Sequence, residues 1–352
     1  MSKVGGKLIF ALCVGIITTG TINSVITKFQ DNQCIRDCAT ASPLLFNQPL
    51  MQTLQMFIAE ALMLPLFYFT GKRKRISLDV VPRTSNTYLL SLPAICDVCG
   101  STLLNLSLIL VPVSIFQMAR GAVIVFVAVF SAVFLNRSIS RKEWVSMAIV
   151  VLGVAIVGLS GMAGWESNLL NGKLVLGISF VLVAQVFLAT QLVLEEYFVS
   201  RQPIMPMELV GYEGVFGTMI TSAMFMFGTL TFARENTASP FNFPMSYNDL
   251  KTSRALIYTS IVVMISVATF NFLGIALTKH VSATSRSMVD TCRTIVVWLV
   301  SLVIGWETFK WKQLCGFTIV VFGTLMYNNV IDIPVNWDGK KDSRQYYEQI
   351  EG

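Results

Sequence analysis

The chain has 352 residues, of which 54% are hydrophobic and only 13% charged, and its mean hydropathy is +0.66. Soluble domains carry about 25% charged residues, so this composition excludes a soluble globular protein and implies a polytopic membrane protein. The net charge of +6 does not point to nucleic acid, because the basic residues sit between apolar segments and read as topology signals.

Ten apolar segments follow one another, each near the ~20 residues that a bilayer crossing requires. They are Leu8–Thr27, Leu50–Thr70, Tyr88–Val111, Pro112–Leu135, Trp144–Met162, Leu174–Tyr197, Met207–Phe232, Ala255–Leu277, Ser285–Gly305 and Leu314–Asn329. The first begins after Lys3 and Lys7, and no small-x-small cleavage site precedes Lys28. It therefore reads as a span rather than a removable signal. With the N-terminus in the cytosol, the cytosolic loops and tail hold roughly twice as many lysines and arginines as the opposite side, which favours both termini inside. The KRKR run at 72–75 then ends the second span on the cytosolic side.

The loop after the first span holds Cys34 and Cys38 in CIRDC. On the non-cytosolic side this pair either closes a disulfide or stays as two thiols, and the spacing decides neither. The sequons at Asn105 and Asn136 fall in a span and in a cytosolic loop, so neither is expected to carry sugar. The loop Ala233–Arg254 is polar and rich in Pro and Asn, and is expected to be irregular. The tail from Ile331 is charged. Within it, Tyr347 to Ile350 fits a tyrosine-based sorting signal, which gives a weak pointer to a sorting adaptor and to an endosome or lysosome.

The fourth segment organises the chain. It reads PVSIFQMARGAVIVFVAVFSAVFL and carries one charge, Arg120. Arginine at a helix centre costs roughly 2.5 to 3.5 kcal/mol on insertion scales. Ser114, Gln117 and Arg120 share a helix face at three-residue spacing, so that face is expected to look into a watery cavity. Polar groups recur in other spans: Asn23 in the first, Glu60 in the second, Asp97, Ser101 and Asn105 at four-residue spacing in the third, and Gln191, Glu195 and Glu196 in the sixth. The seventh has Glu208 and Glu213, the eighth Asn271, and the ninth Arg286, Asp290 and Arg293 at i, i+4 and i+7. That spacing lets Arg286 and Asp290 pair within their helix. Glu196 and Glu208 lie near helix ends, where solvation is the expected role.

Ionisable groups inside a membrane are functional candidates by default. The expected substrate-binding residues are Asn23, Asp97, Gln117, Arg120, Asn271, Arg286, Asp290 and Arg293. Glu60, Asp97 and Glu213 are the candidates for proton coupling, since a buried carboxylate takes up a proton more readily than an exposed one. The single histidine, His280, leaves no histidine-based metal site, and there is no P-loop or GxSxG. No metal, cofactor or catalytic site is expected, nor an enzyme activity.

VVLGVAIVG at 150–158 resembles VVFGTLMYN at 320–328, with Gly153 falling on Gly323. Each half then holds five spans, and an odd number inverts the second copy. The expected division is 1–163 for the first repeat, 164–330 for the inverted second, and 331–352 for the cytosolic tail. Inverted repeats are a recurrent transporter design, with the solute near the midplane.

SIFQMARGAVIVFVAVFSAVFL, LEEYFV at 194–199, GYEGVFG at 211–217, FNFLGIALTKHVSATSRSMVDTCRTIVVW and SLVIGWE resemble the drug/metabolite transporter superfamily. Within it they are similar to solute carrier family 35, F subfamily, and so to EamA-like and nucleotide-sugar-transporter-like proteins. The resemblance runs from TGTINS (19–24) to GTLMYN (323–328). It implies an all-α integral membrane fold of ten transmembrane helices, built as two inverted five-helix repeats around a central cavity. It also implies alternating access and a lysosomal or endosomal membrane, with Golgi as the alternative.

The expected function is secondary transport of a small polar solute, by proton coupling or exchange. A Golgi or endoplasmic-reticulum nucleotide-sugar antiporter is the alternative, although no stacking aromatic stands out beside the arginines in sequence. A membrane scaffold that transports nothing is the rival from another class. The partners are a small-molecule solute and membrane lipid.

Overall fold

The computed structural model describes residues 6–36, 38, 44–46, 48–72, 87–111, 116, 119–161, 172–202, 204–231, 242–306, 309–327 and 330–331. The expectations for Ser114, Gln117 and the Tyr347–Ile350 signal fall outside those residues.

The described residues form a helical bundle: α1 (Gly6–Asp31), α2 (Pro49–Ala61), α3 (Met63–Lys72), α4 (Ser91–Leu110), α5 (Val123–Phe134), α6 (Arg141–Gly161), α7 (Gly172–Arg201), α8 (Pro206–Thr231), α9 (Phe243–Thr252), α10 (Arg254–His280), α11 (Ala283–Ile304) and α12 (Trp311–Tyr327). Among the described residues, six stretches are long and apolar enough to cross a membrane: α1, Pro49–Phe69, Val175–Arg201, α8, α10 and α11. Tyr88–Leu104 and Val123–Phe134 are shorter apolar helices. A minimal antiparallel pair, β1 (Cys34–Arg36) and β2 (Leu44–Leu45), sets Cys34 opposite Leu45. Cys34 and Cys38 are disulfide-bonded.

Local chemistry accounts for the ends of these helices. Ser140 and Glu143 make a reciprocal capping box at the start of α6: the Ser140 amide donates to Glu143 at 2.8 Å, and the Glu143 amide to the Ser140 hydroxyl at 3.2 Å. Ser253 and Ser282 cap α10 and α11 by accepting from the amides of Ala255 and Ser285. Gly305, at φ +81°, ends α11 in the left-handed region that other residues avoid.

One expectation is corrected. The polar loop Ala233–Arg254 is not irregular throughout, because α9 occupies its second half. Asn242 caps that helix by accepting from the Met245 amide, and Pro244 sits in its first turn, where a missing N–H costs nothing. In the second span α2 and α3 meet at Leu62, whose backbone stays helical with its amide bonded to the Ile58 carbonyl, and Pro65 lies in the first turn of α3.

Helix α1 packs against α10 and α11, α4 against α7 and α8, α2 against α8 and α10, α5 against α7 and α11, and α6 against α12. Helices α1 and α10 are antiparallel: Gln30 donates to the Ser260 hydroxyl at 2.9 Å, while Gly15 faces Leu273 near the other end. We call the end that carries the N-terminus of α1 the lower end. Close packing of α6 on α12 depends on glycine, since a Cβ on Gly153 would stand 2.8 Å from the Gly316 carbonyl oxygen.

Candidate functional site

Two polar clusters lie in the bundle, both reached by α11. On that helix Arg286, Asp290 and Arg293 project over two turns, so Arg293 stands about 10 Å above Arg286.

The upper cluster joins α1, α11 and the segment before α5. Arg293 donates to the Gly20 carbonyl at 3.2 Å and to the Ser24 hydroxyl at 3.3 Å. Its other terminal nitrogen donates to Asp290 at 3.3 Å. Arg293 Nε lies 2.9 Å from Asp290 Oδ1, an ion-pair contact bent away from hydrogen-bond geometry. Arg120 interacts electrostatically with both Arg293 and Asp290. Arg293 thus pairs with Asp290, and Arg120 from a separate segment stands within electrostatic range of both. The Asp290 side chain is 34% exposed, so the cluster stays accessible. Aromatic rings flank both cations: Phe116 at 5.6 Å from Arg120 and Phe270 at 5.1 Å from Arg293. Asn23, on the same stretch of α1 as Ser24, has a buried side-chain oxygen without a hydrogen-bond partner.

The lower cluster joins α2, α4, α7, α8, α10 and α11. Arg286 is 6% exposed, and one terminal nitrogen is hydrogen-bonded to Glu195, which is 1% exposed. Its other terminal nitrogen reaches Asn271 at 3.4 Å. Asn271 in turn donates to Glu60 at 2.5 Å. Gln191 donates to the second oxygen of Glu195 at 3.1 Å and faces Asp97. Glu213 is buried, and its Oε1 has no hydrogen-bond partner. It lies close enough to Glu60, Asp97 and Glu195 for mutual repulsion.

This network depends on a bare backbone at Gly274 of α10. A Cβ there would stand 2.8 Å from the guanidine carbon of Arg286. Further contacts draw the lower end together. The Ala283 amide donates to Glu196 at 2.9 Å, Lys279 to the Ile204 carbonyl at 3.3 Å, and Arg201 to the Leu135 carbonyl at 3.2 Å.

Several residues predicted from sequence therefore meet, in two groups rather than one. Arg120, Asp290 and Arg293 form the upper group, and Glu60, Asp97, Glu213, Asn271 and Arg286 the lower. Asn23 lies beside the upper group. Two expected roles are overturned. Arg286 does not pair with Asp290 along α11, because Glu195 on α7 offers a fully desolvated partner and Arg293 takes Asp290. Glu196 is not a solvated helix end: it is 8% exposed and serves the α11 N-terminus.

Glu195, Gln191, Ser24 and the two phenylalanines were not among the predicted site residues. The four-residue spacing of Gln191 and Glu195 is the one local signal that marks a shared face. The phenylalanines carry none, since aromatics are scattered throughout the spans. Away from both clusters, a groove of about 510 Å³ runs between α2, α8 and α9, lined by Leu54, Ile58, Phe225, Met226, Leu230 and Phe243 among others. Its apolar walls suit hydrocarbon rather than a polar solute.

Helices long and apolar enough for a bilayer, with paired charges held between them, define a polytopic membrane protein. Residues 43–328 match the Triose-phosphate Transporter family, and the chain belongs to that family. Within it the chain falls in solute carrier family 35, F subfamily. It is 34% identical over 323 residues to solute carrier family 35 member F6 of Mus musculus, covering 90% of this chain and 87% of that protein. It is 37% identical over 331 residues to an uncharacterised protein of Schizosaccharomyces pombe, covering 91% and 97%. UDP-xylose transporter 2 of Arabidopsis thaliana is 26% identical, over 64% of this chain and 59% of that one. A crystal structure at 13% identity superposes with a TM-score of 0.63, covering 92% of this chain and 96% of that one, a likeness of fold alone.

Proposed function

We propose that the chain is a secondary transporter that moves a small anionic solute by alternating access, with the upper cluster as its binding site. The carrying observation is that Arg293 pairs with a partly exposed carboxylate, Asp290, while a second guanidinium, Arg120, stands within electrostatic range of both. A guanidinium pair in excess of its counter-charge recruits carboxylate or phosphate through charge-assisted hydrogen bonds. Gln117, three residues before Arg120, and Asn23 complete the proposed binding set.

The two-repeat architecture is part of this reading. Under a five-plus-five inverted repeat, the packing of α1 on α10 is the counterpart of α4 on α7. Likewise α1 on α11 matches α5 on α7, and α2 on α10 matches α4 on α8. These reciprocal pairs all occur, which supports ten spans divided at 1–163 and 164–330. Both termini are proposed to be cytosolic, which places the lower end of the bundle on the cytosolic side. The membrane is proposed to be lysosomal or endosomal, with Golgi as the alternative. Coupling to a proton gradient, through Glu60, Asp97 and Glu213, is the proposed drive.

A nucleotide-sugar antiporter is the second reading, supported by the rings of Phe116 and Phe270 beside the two guanidinium groups. Such rings offer a stacking surface for a base while the cations meet phosphate. The test is uptake into liposomes holding purified protein, with inorganic phosphate, a dicarboxylate and a UDP-sugar as separate probes. Saturable uptake of an anion that Arg293→Ala abolishes supports the proposal. Uptake confined to the UDP-sugar and dependent on a trans nucleotide favours the second reading. No flux of any probe with folded protein favours the scaffold class.

A further inference from the structure

The lower cluster carries a surplus of acid. Glu195 from α7 pairs with the one guanidinium, Arg286 of α11, and Asn271 of α10 bridges Arg286 to Glu60 from α2; Asp97 from α4 and Glu213 from α8 stand within electrostatic range of this group. Glu60, Glu195 and Glu213 are each at most 5% exposed. Three such buried carboxylates and one cation cannot all stay ionised where water is excluded, because an unpaired buried charge costs several kcal/mol. Either protons or a metal ion must balance the charge. Among the described residues, no three His, Cys, Asp or Glu side chains converge as a metal site, so protons are the fitting ligand.

The hydrogen bonds single out one carboxylate. Glu195 accepts from Arg286 and from Gln191, Glu60 accepts from Asn271, and Asp97 faces Gln191. Glu213 Oε1 is buried and has no partner at all. A carboxylate without a donor is the member that a proton stabilises most, since the neutral form needs no counter-charge. On α3, the Tyr68 hydroxyl is engaged with Tyr212, one residue before Glu213, at 3.3 Å.

We propose that Glu213 is the proton-binding group of this chain, and that its proton holds the lower end shut by leaving Arg286 free to latch α11 onto Glu195 of α7. This rests on the transporter reading and deepens it by assigning the coupling ion to one residue and its effect to one ion pair. When the proton passes to water at the lower mouth, the Glu213 carboxylate competes with Glu195 for the same guanidinium. The latch between α7 and α11 then loosens. The neighbouring bond from Ala283 to Glu196 lies where the two elements part. Loss of the proton opens the lower end, and its return closes it. One carboxyl thereby ties the direction of opening to the side that supplies protons.

The experiment reads the latch without any transported solute. Spin labels at Ser200 and Val281, both exposed, report the distance across the lower end in full-length protein in lipid nanodiscs. The expected result is one short population at acid pH and a long one that grows as the pH rises, the closed-to-open ratio changing by up to about tenfold per pH unit for one proton. Glu213→Gln should stay short at every pH, whereas Glu213→Asp should keep the response. Should Glu213→Gln fail to fold, the infrared carbonyl band of a protonated carboxyl in the wild type, and its shift in Glu213→Asp, replaces it. A distance that ignores pH, or a Glu213→Gln protein that responds like the wild type, overturns the proposal. A wild type that opens with pH but takes up no probe in liposomes retains the latch and overturns the transporter reading instead.

Discussion

Arg286 and Glu195 form an ion pair across the α7–α11 contact, with 7% and 1% of their side chains exposed. A pair so deeply desolvated is costly to assemble and costlier to break. Removing either member leaves a buried, uncompensated charge. Arg286→Ala and Glu195→Ala are each expected to destabilise the fold by about 3–5 kcal/mol. The double replacement Glu195→Leu with Arg286→Met should recover most of that loss. Denaturation of the purified proteins in one detergent checks this; a double variant as unstable as the sum of the singles contradicts it.

Gly274→Ala tests the same pair from α10. Its Cβ would press on the Arg286 guanidinium, so a cost of about 1–3 kcal/mol from overpacking is expected. The cost should nearly vanish when Arg286 is already Ala. A double-mutant cycle measures the coupling, and additive losses would place the strain elsewhere.

In the upper cluster, Arg293→Ala and Arg120→Ala are expected to insert and fold normally but to weaken solute binding. A hydrogen bond to a charged group contributes about 1.5–3 kcal/mol, so KM should rise roughly ten- to hundredfold. Arg293→Lys should restore charge but not the fork of bonds to Gly20, Ser24 and Asp290, and so recover only part. Concentration-dependent uptake in liposomes provides the measurement, and unchanged KM in both alanine variants would remove the cluster from the binding site.

Orientation is open to a separate check. A glycosylation acceptor introduced at Gly164 should be modified, and one at Arg73 should not, if both termini are cytosolic. The reverse pattern on a gel after glycosidase treatment would invert the proposed topology.

The Cys34–Cys38 bond predicts that these two thiols resist alkylation until reductant is added, whereas Cys315, which is exposed, is labelled at once. Loss of so short a loop closure should cost only about 2 kcal/mol. Mass spectrometry of alkylated peptides distinguishes the states.

The membrane class was legible in the sequence because it depends on composition summed over the chain. Arg120, Asp97 and Arg293 could be singled out for a related reason: a charge in an apolar run is conspicuous wherever the run folds. Helix ends were legible where a side chain caps its own backbone, as at Ser140 with Glu143. Helix α9 was harder to read. Its signal, Asn242, is local and is outweighed by the composition around it.

By itself, the sequence determined that this chain is a bundle of apolar helices with a few costly charges inside, since transfer free energy is a property of each segment. It also placed Arg286, Asp290 and Arg293 on one face, since helical periodicity is local. Only the tertiary structure decided which charges meet. It gave Arg286 to Glu195 rather than Asp290, set Phe270 beside Arg293, and left Glu213 without a donor. Partner choice between helices depends on the register and crossing of segments far apart in the chain, which no single segment encodes.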